Sequence, residues 1–134
     1  MSKQLVLISH GCFYKKLKTT TEMIIRPQAN IHTVALLPEE GPDNFETKFL
    51  DTVKDFEDYL VFADLLGGTP CNVVSRLILE GKDIDLYAGM NLPMMIEFLN
   101  ASLTGADVDY PKKAVEHIVK VNDILAGLSD DEDE

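Results

Sequence analysis

The stretch LVLISHGCF, residues 5–13, sets the fold class of this chain. Four apolar residues, two of them β-branched, lead into Ser9 and His10, and Gly11 follows directly. A short, continuous apolar run is typical of a strand that is buried on both faces, as in a parallel sheet. Glycine after such a run indicates a turn. The sequence therefore predicts a buried strand that ends at His10.

Three further apolar runs have the same character as the first. The four predicted strands are QLVLIS (4–9), IHTVALL (31–37), DYLVFADL (58–65) and IDLYAG (84–89). Segments with helical spacing separate them, and strands that alternate with helices indicate βαβ units. We therefore expect an α/β three-layer sandwich, in which a mostly parallel, doubly wound sheet of four to five strands has helices on both faces.

The segments between the strands have helix start and stop signals. The predicted helices are 42–56, 69–81, 91–103 and 111–127. Pro42 opens the first of these, and Thr69 and Asn91 are the expected N-caps of the second and third. A helix is also expected over residues 17–26, although the three consecutive threonines there favour strands over helices.

Length and charge limit the number of domains and the class of partner. The chain has 134 residues, of which 46% are hydrophobic, and this is enough for one substantial core. Five of its 23 acidic residues form the terminal DDEDE, and the rest still has an acidic excess over the 12 basic residues. We expect one domain over 1–128, an acidic and disordered tail over 129–134, and no nucleic-acid partner.

The compartment is predicted from what the chain lacks. No apolar run reaches the roughly 18 residues of a membrane span, and the N-terminus has no signal-peptide pattern. Cys12 and Cys71 are the only cysteines, which is consistent with a reducing environment. We therefore expect a cytoplasmic protein.

Two chemically active side chains follow predicted strands. Parallel strands present their carboxyl ends at one edge of the sheet, where ligands bind in such folds. His10 can act there as a nucleophile near neutral pH, and Asp64 ends the third strand, where a carboxylate needs a partner. A carboxylate that holds one imidazole nitrogen leaves the other free to attack. The alternatives are a histidine that only caps the strand and an aspartate that only accepts turn amides.

The segment GGTP, residues 67–70, predicts an anion site. Gly67, Gly68 and Thr69 lead into the helix at Pro70, and amides at a helix start, with its positive dipole end, attract anions. The Lys of a P-loop and the pattern GxGxxG are absent, so a nucleotide is not indicated. Together with Gly11, these residues would hold a phosphoryl group on His10.

Three motifs in this order resemble one known family. SHG (9–11), DLLGGTPCN (64–72) and GMNLPMMIE (89–97), with LLPEEGP (36–42), are similar to the mannose-family enzyme IIA of the bacterial phosphoenolpyruvate-dependent sugar phosphotransferase system. The resemblance extends from Leu5 to about residue 128. It implies that His10 is the phosphorylated histidine, that Asp64 is its carboxylate partner, and that Thr69 lies beside the phosphoryl group.

The resemblance also implies a place in a transfer chain. A histidine-containing phosphocarrier protein would phosphorylate His10 at Nε2, and His10 would pass the group to a histidine of enzyme IIB, without cofactor or metal. This chain would contact the membrane only indirectly, through the sugar permease complex. Enzyme IIB would be a separate polypeptide. Family resemblance further implies a homodimer, in some relatives with an exchanged fifth strand, here 107–110. The motifs do not distinguish mannose, fructose, sorbose or amino-sugar systems.

Other functions remain as alternatives at this stage. Related domains donate the phosphoryl group to a dihydroxyacetone kinase or belong to transcriptional regulators. A hypothesis of a different class is a zinc-binding module that uses His10, Cys12, Asp64 and Cys71, because zinc accepts nitrogen, sulfur and oxygen ligands. These residues lack the paired spacing of known zinc modules.

Overall fold

A computed structural model of the chain describes residues 3–132, with side chains as far as residue 128. Strands and helices alternate through most of this range, as the apolar runs predict. The elements in chain order are β1 (Gln4–His10), α1 (Phe13–Ile24), β2 (Ile31–Leu36), α2 (Pro42–Val53), β3 (Tyr59–Ala63), α3 (Thr69–Leu79), β4 (Asp85–Ala88), α4 (Leu92–Thr104), α5 (Tyr110–Glu116) and α6 (Val121–Glu132).

Within the described residues the sheet has four parallel strands in the order β2-β1-β3-β4. The central strand β1 alternates its side chains between two cores. Leu5 and Leu7 pack with α1, α4 and α5 on one face, whereas Val6 and Ile8 pack with α2 and α3 on the other. The predicted three-layer, doubly wound α/β fold is confirmed.

Helix starts agree with the predicted caps at two places and differ at a third. The Asn91 side chain accepts a hydrogen bond from the backbone N–H of Met94 at 2.9 Å, so Asn91 caps α4. Pro42 begins α2 as expected. The predicted N-cap at Thr69 is wrong by one residue, because Gly68 has the extended conformation of the cap and Thr69 is already helical.

The threonine-rich segment is a helix, contrary to its propensity. Leu17 and Thr21 are buried on one side of α1, and the Thr21 hydroxyl donates to the carbonyl of Leu17 at 2.7 Å. Packing of this face against the sheet outweighs the weak preference of threonine for strands. Most of the expected helix over residues 17–26 therefore forms as part of α1, despite its threonines.

The predicted last helix, 111–127, is two helices. Asp109 caps α5 by accepting from the N–H of Lys112 at 3.2 Å, and α5 ends before His117. Ile118 and Val119 are exposed between α5 and α6, where no burial supports two consecutive β-branched residues in a helix. Helix α6 begins again at Val121.

Two further sequence expectations concern the last third of the chain. Residues 107–109 have no regular structure, and Tyr110 begins α5, so the described part of the chain has no strand at 107–110. Helix α6 continues to Glu132 and so includes the backbone of the first residues of the predicted tail. Residues 133 and 134 of that tail lie outside the described residues.

Candidate functional site

The sheet register brings the loops that follow β1, β3 and β4 to one edge. Ile8 is paired with Ala63, and Ala63 with Ala88, so these strands end at nearly the same level. The carbonyl of Ala63 accepts hydrogen bonds from the amides of Gly89 and Met90, at 3.0 and 2.9 Å, which ties the end of β3 to the end of β4. The carboxyl edge predicted as the functional edge is therefore one continuous surface.

His10 and Asp64 form a hydrogen-bonded pair at this edge. One carboxylate oxygen, Asp64 Oδ2, lies 2.8 Å from His10 Nδ1 and accepts from the backbone N–H of His10 at 2.9 Å. The other oxygen, Oδ1, accepts from the amide of Leu65 at 2.9 Å. The Asp64 side chain is only 8% exposed, and these bonds compensate for its burial.

The pair leaves one imidazole nitrogen free for chemistry. A carboxylate only accepts hydrogen bonds, so Nδ1 of neutral His10 carries the proton and Nε2 keeps its lone pair. The His10 side chain is 45% exposed, whereas its partner is buried. The arrangement therefore presents a nucleophilic nitrogen to solvent on a ring whose orientation is fixed from the interior.

Gly68 lies against the face of the imidazole. A Cβ built on Gly68 would be 2.4 Å from His10 Cε1 and 3.1 Å from Nε2, closer than side chains tolerate. Its φ of −91° suits any residue, so the backbone conformation does not require glycine here. The position of the His10 ring is what requires glycine at residue 68. Sequence reasoning proposed Gly68 as an anion-binding residue and missed this packing role, for which a glycine before a helix gives no distinctive signal.

The remaining predicted anion-binding residues lie in two turns. Gly67 has φ +89°, a left-handed conformation that favours glycine, and it brings the chain round to the start of α3. Thr69 and Cys71 are in the first turn of α3, where helix amides have no intrahelical acceptor. These amides and the partly buried Thr69 are at the site edge, next to the Gly68–His10 contact.

Gly11 has a structural role that the sequence did not predict. Its φ is +54°, which allows the chain to turn sharply after His10, and its N–H donates to the carbonyl of Leu36 at 2.9 Å. That amide is therefore used within the fold, between β1 and the end of β2, and is not a free donor for an anion. Buried Ser9, which sequence reasoning also missed, accepts from the N–H of Tyr14 at 3.1 Å and anchors the start of α1.

The four side chains of the zinc hypothesis do not form a metal site. In the part of the chain that the structure describes, no three His, Cys, Asp or Glu side chains are grouped so that they could hold a metal ion. Cys71 is 2% exposed and packs with the α2–α3 core, whereas Cys12 is exposed at the start of α1. His10 and Asp64 are therefore paired without a third candidate metal ligand among the described residues.

No helix in residues 3–132 has the length and apolar character needed to cross a membrane.

Comparisons with known proteins identify the family of this chain. Residues 4–118 match the family model EIIA-man, described as the PTS system fructose IIA component. The sorbose-specific EIIA component of Lacticaseibacillus casei is 29% identical over 123 residues, which cover 90% of this chain and 86% of that protein. The fructose-specific EIIA component of Bacillus subtilis (strain 168) is 32% identical over 98 residues, which cover 71% of this chain and 67% of that protein.

A solved structure gives the same result at the level of the fold. Phosphotransferase system component EIIA from Streptococcus agalactiae superposes with a TM-score of 0.77 at 27% identity, covering 89% of this chain and 97% of that one. The chain therefore belongs to the EIIA-man family, and it is a phosphotransferase component that carries a phosphoryl group as phosphohistidine within a sugar phosphotransferase system.

Proposed function

We propose that His10 is the residue that carries the phosphoryl group, receiving it from the histidine-containing phosphocarrier protein and passing it to enzyme IIB. The observation that supports this best is the His10–Asp64 pair, with Nδ1 held at 2.8 Å and the side chain of His10 half-exposed. Of the described histidines, His32 is half-buried against Phe56 and His117 is paired with Glu97 away from the strand ends. Neither has a buried carboxylate behind it.

The transfer needs little beyond alignment and charge stabilisation. Nε2 of His10 attacks the phosphorus of the donor's phosphohistidine, the new N–P bond forms as the old one breaks, and the donor imidazole leaves with the electron pair. Phosphorylation makes the His10 ring cationic, and the Asp64 carboxylate stabilises that charge without taking the Nδ1 proton. The second transfer repeats these steps in reverse, with a histidine of enzyme IIB as nucleophile.

The start of α3 supports the same role. Amides in the first helical turn and the positive end of the helix dipole would stabilise the phosphoryl oxygens, and the Thr69 hydroxyl would add a donor. These groups belong to the segment that also supplies Asp64 and Gly68. The nucleophile therefore lies at the end of β1, and the orienting carboxylate and the proposed anion donors lie in the segment that joins β3 to α3.

The proposal also includes a cellular location and an oligomeric state. A cytoplasmic location, with contact to the membrane only through the sugar permease complex, is supported by two free cysteines. A homodimer is supported by strand β4, which among the described residues pairs only with β3 and leaves one edge open.

The decisive experiment is a labelling assay. The chain is incubated with phosphoenolpyruvate, enzyme I and the phosphocarrier protein, and the acid-labile phosphoryl group is mapped by mass spectrometry. We expect one group on His10 and none in His10→Ala. His117→Ala is the matched control, because it removes an exposed histidine outside the site and should label normally. Normal labelling of His10→Ala would refute the proposal.

A further inference from the structure

Lys48 joins helix α2 to the end of strand β2. Its ammonium group donates to the carbonyl of Ala35 at 2.6 Å and to Oε1 of Glu40 at 2.5 Å. The same oxygen of Glu40 accepts from the N–H of Leu37 at 2.9 Å. Hydrogen bonds that involve ionised groups are shorter and stronger than neutral ones. These contacts, here called the Lys48 clamp, therefore fix both ends of the loop at residues 37–40.

The Lys48 clamp acts on the side of β2 that faces away from the sheet. Within the described residues β2 pairs only with β1. Successive carbonyls of a strand point to opposite sides, and the carbonyl of Leu36 accepts from the N–H of Gly11 at 2.9 Å, toward β1. The carbonyl of Ala35 consequently points outward, where Lys48 is its partner. The end of β2 is thus held from both sides.

The loop that the clamp holds lies beside the nucleophile. His10 is in register with Leu36, the last residue of β2, so Leu37 begins the loop at the level of the turn after His10. Leu37 is 42% exposed, and Phe13, which begins α1 after that turn, is 46% exposed. Exposed apolar side chains around a reactive group are typical of a protein-binding surface. Leu37 and Phe13 are therefore available to a partner that approaches His10.

A donor protein has to cover this edge of the sheet. In-line transfer requires a histidine of the phosphocarrier protein to face Nε2 of His10, which brings the surface of the donor over the neighbouring loops. A loop that is ordered before the encounter loses less conformational entropy on binding. Order in the loop at 37–40 should therefore strengthen binding of the donor.

The contacts of Lys48 separate it from the chemical step. Among the described residues its hydrogen bonds go to Ala35 and Glu40, and the His10–Asp64 pair is held without it. Loss of the Lys48 side chain should therefore weaken binding of the donor and leave the orientation of the imidazole unchanged.

We propose that Lys48 is a positioning residue for docking of the phosphocarrier protein. Through Glu40 and the carbonyl of Ala35 it keeps the loop at 37–40 in the conformation that the donor contacts. This inference rests on the proposed function and adds a residue that acts on the encounter. Asp64 and Lys48 have separate roles, since Asp64 orients the imidazole and Lys48 orders the protein surface beside it.

Transfer kinetics with the phosphorylated phosphocarrier protein test this role. Lys48→Met keeps the apolar stem and removes the ammonium group, so it should raise KM for the donor roughly tenfold and leave kcat within about twofold of the wild type. Lys54→Met is the matched control, because it makes the same change at the end of α2, where the lysine pairs with Asp51 on the surface. Its KM should not change. An unchanged KM for Lys48→Met, or an equal rise in both variants, would overturn the inference.

A small phosphoryl donor separates docking from chemistry. Phosphoramidate needs no protein surface, because Nε2 of His10 attacks its phosphorus directly while the P–N bond breaks and ammonia leaves. The wild type and Lys48→Met should therefore become labelled at the same rate. A slower reaction of Lys48→Met would place Lys48 in the chemical step and overturn its role in docking.

A second variant covers the case in which Lys48→Met does not fold, which circular dichroism would detect. Glu40→Gln keeps an oxygen that accepts from the N–H of Leu37 and removes the ion pair with Lys48. We expect a smaller rise in KM, and an unchanged KM would again overturn the inference. A wild type that the phosphocarrier protein does not label refutes the proposed function, whereas normal labelling with an unaltered KM in both variants refutes the positioning role alone.

Discussion

Asp64 Oδ2 holds His10 at two points, the backbone N–H at 2.9 Å and the ring Nδ1 at 2.8 Å. The same oxygen therefore fixes both the end of strand β1 and the orientation of the imidazole. Because the carboxylate is almost fully buried, rotation of its side chain would break three hydrogen bonds, including that from the amide of Leu65. Orientation of the nucleophile is thus built into the sheet.

Substitution Asp64→Asn should slow phosphorylation of His10 by roughly 10²- to 10⁴-fold, since the amide is neutral and can stabilise the wrong imidazole tautomer. Its oxygen can still accept from the backbone, so the fold should persist. Rapid-quench transfer from the phosphocarrier protein measures the rate. The control is Asp58→Asn, the same change at the opposite end of β3. Equal rates for both variants would contradict the role of Asp64.

Substitution Gly68→Ala should displace the His10 ring without unfolding the protein. The new methyl group would approach Cε1 to 2.4 Å, whereas the backbone conformation accepts alanine. We expect a changed ¹⁵N shift for the His10 ring and a transfer rate at least tenfold lower. Gly41→Ala is a close control, because Gly41 also caps a helix in an extended conformation and a Cβ there meets nothing within 4 Å. An unchanged ring signal in Gly68→Ala would contradict the contact.

Substitution Thr69→Val should reduce the transfer rate by roughly 10- to 100-fold, the usual effect of losing one hydrogen bond to a charged group. Thr69→Ser keeps the hydroxyl and should remain close to the wild type. Both residues are tolerated in the first turn of α3, so thermal unfolding should change little. If the valine and serine variants transfer equally fast, Thr69 does not donate to the phosphoryl group.

Tyr110 should make the protein sensitive to alkaline pH. Burial, then the charges of Tyr87 and Glu97, raise the pKa of Tyr110 to about 12, and its ring packs on Phe62 and Tyr87. The folded state holds this proton more tightly than the unfolded state, so stabilisation is complete below pH about 10 and is lost as the pH rises toward 12. The loss in unfolding free energy is on the order of 2 kcal/mol.

The measurement for Tyr110 is urea unfolding between pH 8 and 12. Tyr110→Phe keeps the aromatic packing and removes the titrating group, so its stability should fall less steeply over this range. A variant with the same alkaline slope as the wild type would show that another group causes the loss.

The sequence predicted the strands well because each is a short apolar run, and the central strands β1 and β3 are buried on both faces. His10 and Asp64 could be placed at one edge of the sheet because the carboxyl ends of parallel strands coincide. The contact of Gly68 with the ring could not, because a glycine before a helix has several ordinary explanations. Nor could the use of the Gly11 amide, which depends on where β2 ends relative to β1.

Packing, rather than propensity, decides where two of the helices form and end. Leu17 and Thr21 hold α1 against the sheet despite its threonines, and the break at 117–120 follows from the exposure of Ile118 and Val119. The helical spacing of apolar residues in the sequence gives no sign of either effect. The presence of a supporting surface is a property of the fold.

The positions of the strands along the chain, the residues at their ends and the family were all determined by the sequence, because apolar periodicity and short motifs are local. Only the tertiary structure decided that one buried oxygen holds both the backbone and the ring of His10, and that Gly68 leaves room for that ring. These are distances between segments more than fifty residues apart in sequence. They depend on the parallel register of β1 with β3, which aligns His10 with the loop after Ala63.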